Sequence, residues 1–143
     1  MLRDVTIRDW MTADVISVSS DTPIANAHEL MKRNNVRRLP VIDKGNLVGI
    51  VTIGDIREAS PSGATTLSIW ELNYLLAQLT VKNVMTHVVL TVTADEPMIN
   101  AARIMLENKV SGLPVLDADG KVVGIVTESD VFRMMVEKQT EDI

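Results

Sequence analysis

Residue types that carry function in many proteins are scarce or missing in this sequence. None of the 143 residues is a cysteine, which excludes a disulfide framework, a thiolate nucleophile and a thiolate metal site. The aromatic residues are two Trp, one Tyr and one Phe, and 19 acidic side chains outnumber 14 basic ones. A surface that binds nucleic acid usually has a basic stripe and stacking rings, so nucleic acid is not expected as a partner.

Long apolar runs and catalytic motifs are missing as well. The N-terminus has no apolar stretch of signal-peptide length, and no run approaches the ~20 apolar residues of a transmembrane helix. We therefore expect a cytoplasmic protein without a membrane partner. The sequence has no Gly-x-Ser-x-Gly elbow and no glycine-rich phosphate loop ahead of a lysine. His28 and His87 lack carboxylates at metal-ligand spacing, so we predict no enzyme, no metal and no cofactor.

What the sequence does contain is an internal duplication. Met11-Thr12 recurs 74 positions later as Met85-Thr86, and Leu39-Pro40-Val41 recurs at that offset as Leu113-Pro114-Val115. One extra residue in a turn of the second copy then changes the offset to 75. At this new offset the matching segments are Gly49-Ile50-Val51-Thr52 with Gly124-Ile125-Val126-Thr127, and Asp55 with Asp130. Matches in a fixed order with one insertion in a turn indicate two structural repeats.

Both copies predict the same order of elements. Ile16-Ser17-Val18 alternates like a short strand, and so does Leu90-Thr91-Val92. Asp21-Thr22-Pro23 and Asp95-Glu96-Pro97 then predict helix starts, with a polar residue as cap and proline in the first turn. Two short apolar runs separated by a tight turn predict a hairpin in each copy. A second helix is expected to begin near the aspartate that ends each match.

These elements predict a mixed α/β (α+β) fold of two β-α-β-β-α repeats, residues 6–60 and 80–138. A sheet this small leaves an apolar face open, so we expect the repeats to pack face to face with pseudo-two-fold symmetry and to enclose a cleft. Residues 61–79 connect the repeats. Pro61-Ser62-Gly63 interrupts this segment, and Ser68 and Glu71 have the spacing of a capping box. The apolar stripe of the helix that follows suits either a dimer contact or packing within the chain.

The duplicated motifs resemble those of the CBS-domain family. The resemblance rests on Met-Thr at the start of each copy, Asp-x-Pro before the first helix, Leu-Pro-Val-[Ile/Leu]-Asp, and Gly-Ile-Val-Thr-x-x-Asp, and it covers nearly the whole chain. It implies a module that forms flat homodimers and binds an adenosine derivative such as AMP, ADP, ATP or S-adenosylmethionine. It also implies a regulatory sensor instead of a catalyst. The partner that we expect is a separate, unidentified effector protein.

The resemblance implies that Thr52, Asp55, Thr127 and Asp130 contact the ligand. In the family, the hydroxyl of this Thr-x-x-Asp pattern contacts phosphate and the carboxylate contacts the ribose hydroxyls. An ionised carboxylate can accept two hydrogen bonds from a vicinal diol, and such charge-assisted bonds are strong. The same spacing ahead of an apolar helix is also that of a capping box. The two roles are compatible, and both remain open at this point.

Further candidates differ between the copies. Arg37 and Arg38 precede the first Leu-Pro-Val, where guanidinium groups could bind phosphate or serve as solvated charges on a strand edge. The second copy has Ser111 and Gly112 there, so we expect the two sites to be inequivalent. Arg57 and Arg133 are further candidates for phosphate contact. The remaining ligand candidates are Pro40 and Pro114, in the stretch that enters the cleft, and four apolar residues that suit either an adenine pocket or ordinary core packing: Val15, Ile16, Val88 and Val89.

Two hypotheses of function follow. The first is a sensor that binds an adenine nucleotide and changes the packing of the repeats or of a homodimer, which a partner protein then detects. The alternative is a structural or protein-interaction dimer module whose cleft is degenerate and binds nothing. In that case the Thr-x-x-Asp patterns only cap helices, and the apolar stripe of the connecting helix mediates assembly.

Overall fold

The computed structural model describes residues 4–59, 68–87 and 90–141, without the side chains of residues 69, 72, 73 and 139–141. The chain divides into two compact units. One combines the chain up to Val15 with the chain from Leu90 onward, and the other is the part between them. The predicted break at Pro61-Ser62-Gly63 lies outside the described residues. No helix within the described ranges is long and apolar enough to cross a bilayer.

The central unit is built from the first sequence repeat and the connecting segment. Its elements, in chain order, are α2 (Ile24–Asn34), β1 (Arg38–Asp43), β2 (Asn46–Thr52), α3 (Ile53–Ala59), α4 (Ile69–Gln78) and α5 (Val81–Val84). Strands β1 and β2 form an antiparallel hairpin. The turn between them places Lys44 and Gly45 at positive φ, 51° and 81°, as a two-residue type I′ hairpin turn requires.

The other unit contains the second repeat together with the N-terminal helix. Its elements are α1 (Ile7–Trp10), β3 (Val92–Thr93), α6 (Met98–Asn108), β4 (Gly112–Leu116), β5 (Val122–Thr127) and α7 (Glu128–Glu141). The sheet order is β3-β4-β5, in which β3 pairs parallel with β4 and β4 pairs antiparallel with β5. The mixed α/β fold of two repeats is therefore confirmed, and each unit has its own apolar core.

Two local predictions of the sequence were wrong. The expected first strand of the first repeat is reduced to one isolated parallel bridge between Val18 and Val41, which two backbone hydrogen bonds form. The expected polar caps of α2 and α6 are also absent, since Pro23 and Pro97 occupy the cap positions without a side-chain hydrogen bond. Backbone carbonyls replace those caps: Leu79 O accepts from Ile24 N at 3.1 Å, and Val5 O accepts from Met98 N at 2.7 Å.

The opening segment of each repeat packs onto the other repeat. In the central unit, Val81 N donates to Thr22 O at 2.8 Å, and Thr86 forms an antiparallel bridge with Ile50 of β2. In the other unit, Ile7 N donates to Glu96 O at 3.0 Å, and Thr12 forms the same bridge with Ile125 of β5. Each compact unit is therefore assembled from parts of both sequence repeats, which is why its limits differ from those of the repeats.

A glycine in each hairpin makes this exchange possible. A Cβ at Gly49 would lie 2.7 Å from Thr86 O and 2.8 Å from Met85 Sδ. A Cβ at Gly124 would lie 2.5 Å from Met11 Sδ and 3.0 Å from Thr12 O. Only glycine leaves room for backbone to approach this closely. The repeated Met-Thr and Gly-Ile-Val-Thr motifs are thus two sides of one contact.

The connecting helix α4 begins as its sequence predicts. Ser68 is the N-cap residue, and its Oγ accepts a hydrogen bond from Glu71 N at 3.2 Å. Several large side chains of α4 are exposed, with exposed fractions of 80% for Trp70, 67% for Tyr74 and 47% for Leu75. The cap satisfies a backbone amide that would otherwise lack a partner at the start of the helix.

Candidate functional site

The first candidate element lies at the junction between β2 and α3. Thr52 N donates to Asp55 Oδ2 at 2.8 Å, and Asp55 N donates to Thr52 Oγ1 at 3.2 Å. These reciprocal bonds are those of a capping box, so the capping role predicted for this motif is confirmed. Asp55 is only half-buried, and within the described part of the chain its Oδ1 has no hydrogen-bond partner. The carboxylate can therefore cap the helix with one oxygen and accept an external donor with the other.

The second element lies at the junction between β5 and α7, and it is closed in the sense that both carboxylate oxygens of Asp130 have partners within the protein. Thr127 N donates to Asp130 Oδ2 at 2.8 Å, and Thr127 Oγ1 lies 3.3 Å from the same oxygen. Asp130 Oδ1 accepts from the guanidinium of Arg133 at 2.8 Å. The Asp130 side chain is only 5% exposed, and both its oxygens are used within the protein.

Arg133 joins this second element to the N-terminal helix. Its guanidinium donates to Trp10 O at 3.2 Å and lies 5.8 Å from the centroid of the Trp10 ring, within the range of a cation–π contact. The sequence suggested Arg133 as a phosphate ligand. The structure places it in a three-way contact with Asp130 and Trp10, and no pattern in the sequence links these residues. We call the contact among these three residues the Asp130 clasp.

The arginine pair of the first repeat lies beside the open element. Arg38 is the ladder partner of Thr52 across the hairpin, and Arg37 O accepts from Ile53 N at 2.9 Å. Arg37 is exposed and Arg38 is half-buried. The second repeat has the same backbone arrangement without the charges.

In that second arrangement, Gly112 pairs with Thr127, and Ser111 O accepts from Glu128 N at 3.1 Å. Backbone pairing therefore places each polar candidate pair next to the Thr-x-x-Asp element of its own repeat. The first repeat has two arginines at this position of the backbone, and the second has a serine and a glycine.

The apolar candidates are placed less distinctively. Pro40 and Pro114 are buried within β1 and β4, and Val15 is half-buried. Ile16 packs against the core of the central unit. Val88 and Val89 lie outside the described residues. A role of these side chains in an adenine pocket therefore stays a prediction.

Asp43, at the end of β1, accepts two hydrogen bonds from Ser20. Ser20 donates to it through its hydroxyl at 2.6 Å and through its backbone N–H at 2.9 Å. These bonds favour the charged form and lower the pKa of Asp43 below its ordinary value. The interaction links the start of the first repeat to the end of β1. In the residues that the structure describes, no group of three or more potential metal ligands is present.

Two copies of one sequence repeat, each with a Thr-x-x-Asp junction after a hairpin, define a tandem-repeat module. The chain belongs to the CBS-domain family, whose model matches residues 7–62 and 81–137. A CBS domain-containing protein of Dictyostelium discoideum is 32% identical over 133 residues, which is 92% of each chain.

Two solved structures of similar chains contain adenosine compounds. The CBS domain pair of protein MJ0100, in complex with 5′-methylthioadenosine and S-adenosyl-L-methionine, has 32% identity and a TM-score of 0.77, over 94% of this chain and 98% of that chain. CBSX2 of Arabidopsis thaliana, in complex with AMP, has 34% identity, a TM-score of 0.77 and the same coverage. Other curated relatives are much longer, and this chain spans 23% to 46% of their length.

Proposed function

We propose that this chain is a non-catalytic regulatory module that binds an adenosine-derived ligand and acts on a separate protein in the cytoplasm. The observation that carries the proposal is the open Oδ1 of Asp55, on a half-buried carboxylate that the Thr52 capping box holds in place. A fixed anionic acceptor suits the vicinal hydroxyls of a ribose, because each hydroxyl can donate one hydrogen bond to it.

Two arginines at the neighbouring strand end also support the proposal. Arg37 and Arg38 lie at the neighbouring strand end, on a chain whose net charge is −5. A guanidinium pair concentrates positive charge locally and matches phosphate geometry, which a background of acidic residues does not provide. A ligand with both a ribose and a phosphate satisfies both features. The adenosine compounds bound to MJ0100 and CBSX2 support this ligand class.

A thermal-shift screen tests the proposal. We expect one of AMP, ADP, ATP, NAD, S-adenosylmethionine, 5′-methylthioadenosine or adenosine to raise the melting temperature selectively and saturably. A ligand at 100 times its Kd stabilises the folded state by ~2.7 kcal/mol. Asp55→Asn should reduce that shift, because the amide offers a neutral oxygen in place of the carboxylate. Asp21→Asn is the matched control, since Asp21 is an exposed aspartate of the same repeat. No shift with any compound at millimolar concentration would refute the proposal.

A second candidate function, assembly into a homodimer, is favoured by the exposed apolar side chains of α4. Trp70 and Tyr74 lie one helical turn apart, with exposed fractions of 80% and 67%. Large exposed side chains in one place are typical of interaction surfaces. We expect Tyr74→Glu to lower the mass measured by light scattering, whereas Gln78→Glu, also exposed on α4, should not change it. A native mass for Tyr74→Glu and Trp70→Glu alike would exclude α4 as the interface.

A further inference from the structure

We infer that each chain takes one adenosine-derived ligand, at the Thr52–Asp55 element, because Arg133 withdraws Asp130 from ligand contact. The inference rests on the proposed function and adds to it the number of ligands and the residue that decides it. The family pattern, Thr-x-x-Asp, is the same in both repeats. The side chains around the two aspartates are not the same, and the difference is in how many acceptor sites remain available.

The Asp130 clasp uses the acceptors that a ribose would need. One oxygen receives Thr127 N at 2.8 Å and the other receives Arg133 at 2.8 Å. A ribose diol could reach Asp130 only if it displaced the Arg133 guanidinium and uncovered the Asp130 side chain, which is only 5% exposed. Loss of the cation would leave a buried carboxylate without its ion partner, which is strongly unfavourable.

The clasp is also held from its other side. Arg133 donates to the carbonyl of Trp10 at 3.2 Å and lies against the Trp10 ring. Displacement of Arg133 from Asp130 would therefore also disturb the packing of α1 against α7. The Arg133 guanidinium thus acts as a positioning group that holds Trp10 and Asp130 together within one unit. A ligand would have to disrupt this contact to form a hydrogen bond with Asp130.

The first repeat lacks both partners of the clasp. At the offset of 75, Arg133 corresponds to Glu58, and at the offset of 74, Trp10 corresponds to Val84. Glu58 is exposed and carries the charge opposite to that of arginine, so it cannot neutralise Asp55. The result is a half-buried carboxylate with one open oxygen in the first repeat and a closed ion pair in the second.

Calorimetric titration of the full chain with AMP, S-adenosylmethionine and 5′-methylthioadenosine tests the inference, since all three share the ribose diol. We expect one ligand per chain for each compound that binds. Asp55→Asn should weaken binding by about tenfold or more, the value of a charge-assisted hydrogen bond. Asp130→Asn should keep the affinity within about twofold, as for an independent site, while it lowers the melting temperature. Circular dichroism checks that each variant is folded.

A transplanted clasp gives a test that does not depend on Asp130 variants. Glu58→Arg, alone or with Val84→Trp, places a guanidinium three residues after Asp55, the spacing of Asp130 and Arg133. If the clasp withdraws the carboxylate, this variant should lower the affinity by about two- to tenfold, although it adds a positive charge. Glu58→Gln is the control and should not lower it.

The outcomes separate the inference from the proposed function. Two ligands per wild-type chain, or loss of binding in Asp130→Asn but not in Asp55→Asn, would overturn the inference and leave the proposed function intact. Tighter binding by Glu58→Arg would also overturn it, because the added cation would then act on phosphate and not on Asp55. If no compound binds the wild-type chain, the proposed function fails and the inference fails with it.

Discussion

The contact between Gly49 and the Met85-Thr86 segment makes a sharp stability prediction. Gly49 faces the opening segment of the second repeat, and a Cβ there would lie 2.7 Å from Thr86 O and 2.8 Å from Met85 Sδ. Met85 has a flexible side chain that can turn away. The Thr86 carbonyl cannot, because it accepts a hydrogen bond from Ile50 N at 3.1 Å in the bridge between the two segments. Gly49→Ala must therefore strain the backbone bridge itself.

The size of the effect follows from two opposing contributions. Overpacking of a tight contact costs about 1–3 kcal/mol, whereas replacement of glycine by alanine restricts the unfolded chain and returns about 0.4–1 kcal/mol. We therefore expect Gly49→Ala to lower the free energy of unfolding by about 1–2 kcal/mol. At about 2–4 °C per kcal/mol for a chain of roughly this size, the melting temperature should fall by several degrees.

Thermal denaturation with a matched control checks this expectation. Gly54→Ala is the control, because its nearest neighbour, Thr52 Oγ1, would lie at an ordinary 3.6 Å and Gly54 is within α3. Alanine in a helix is favoured over glycine by up to about 1 kcal/mol, so Gly54→Ala should be neutral or stabilising. Met85→Ala in the Gly49→Ala background should recover only part of the loss. A Gly49→Ala variant as stable as the wild type would refute the close approach.

Two further predictions concern hydrogen bonds of individual side chains. Ser20→Ala removes the main cause of the lowered pKa of Asp43, which is the hydrogen bond from the Ser20 hydroxyl. A carboxylate whose pKa is lower in the folded chain stabilises the fold at pH values above its pKa in the unfolded chain. That stabilisation is lost as the pH falls through the pKa of the folded chain. The melting temperature of Ser20→Ala should thus lie furthest below that of the wild type near pH 7 and approach it below about pH 4. The control, Ser17→Ala at an exposed serine, should show no such trend. A difference in melting temperature that stays constant with pH would contradict this prediction. Ser68→Ala removes the N-cap of α4 and should lower the stability of that helix by about 1 kcal/mol, which amide hydrogen exchange would detect as faster exchange in α4. Ser68→Thr should retain the protection. Equal exchange rates in the two variants would contradict the capping role of Ser68.

Local rules predicted most of the helices and hairpins, because the residues that end these elements act through their own backbone. Helices α2 and α6 end at Asn34 and Asn108, and the residues after them, Asn35 and Lys109, adopt the left-handed conformation with φ of 54° and 55°. Asparagine at such a position is readily predicted, and the second copy confirms the same stop although lysine is less suited to it. The missing strand around Val18 shows the limit of these rules, since alternation does not reveal how many ladder bonds form.

The exchange of opening segments could not be predicted from the repeat itself. The two segments and the surfaces that receive them are nearly equivalent, so Val81 fits Thr22 in one unit as Ile7 fits Glu96 in the other. Sequence similarity cannot decide between packing on the same copy and packing on the other copy when both offer the same hydrogen bonds. Glycines at positions 49 and 124 are compatible with a close approach, but a glycine does not identify the segment that approaches it.

The same limit explains why the sequence predicted two inequivalent sites but not the contact that occupies Asp130. Thr-x-x-Asp is a local pattern, and its capping bonds form between residues three positions apart in both copies. The contact between Arg133 and Trp10 joins residues 123 positions apart and exists only because the N-terminal helix packs on the second repeat. Duplication supplied two equivalent aspartates, and the exchange of segments brought Trp10 against Arg133, the ion partner of Asp130. The Thr-x-x-Asp motif alone therefore does not show that Arg133 occupies one oxygen of Asp130 while Asp55 keeps one oxygen without a partner in the described part of the chain.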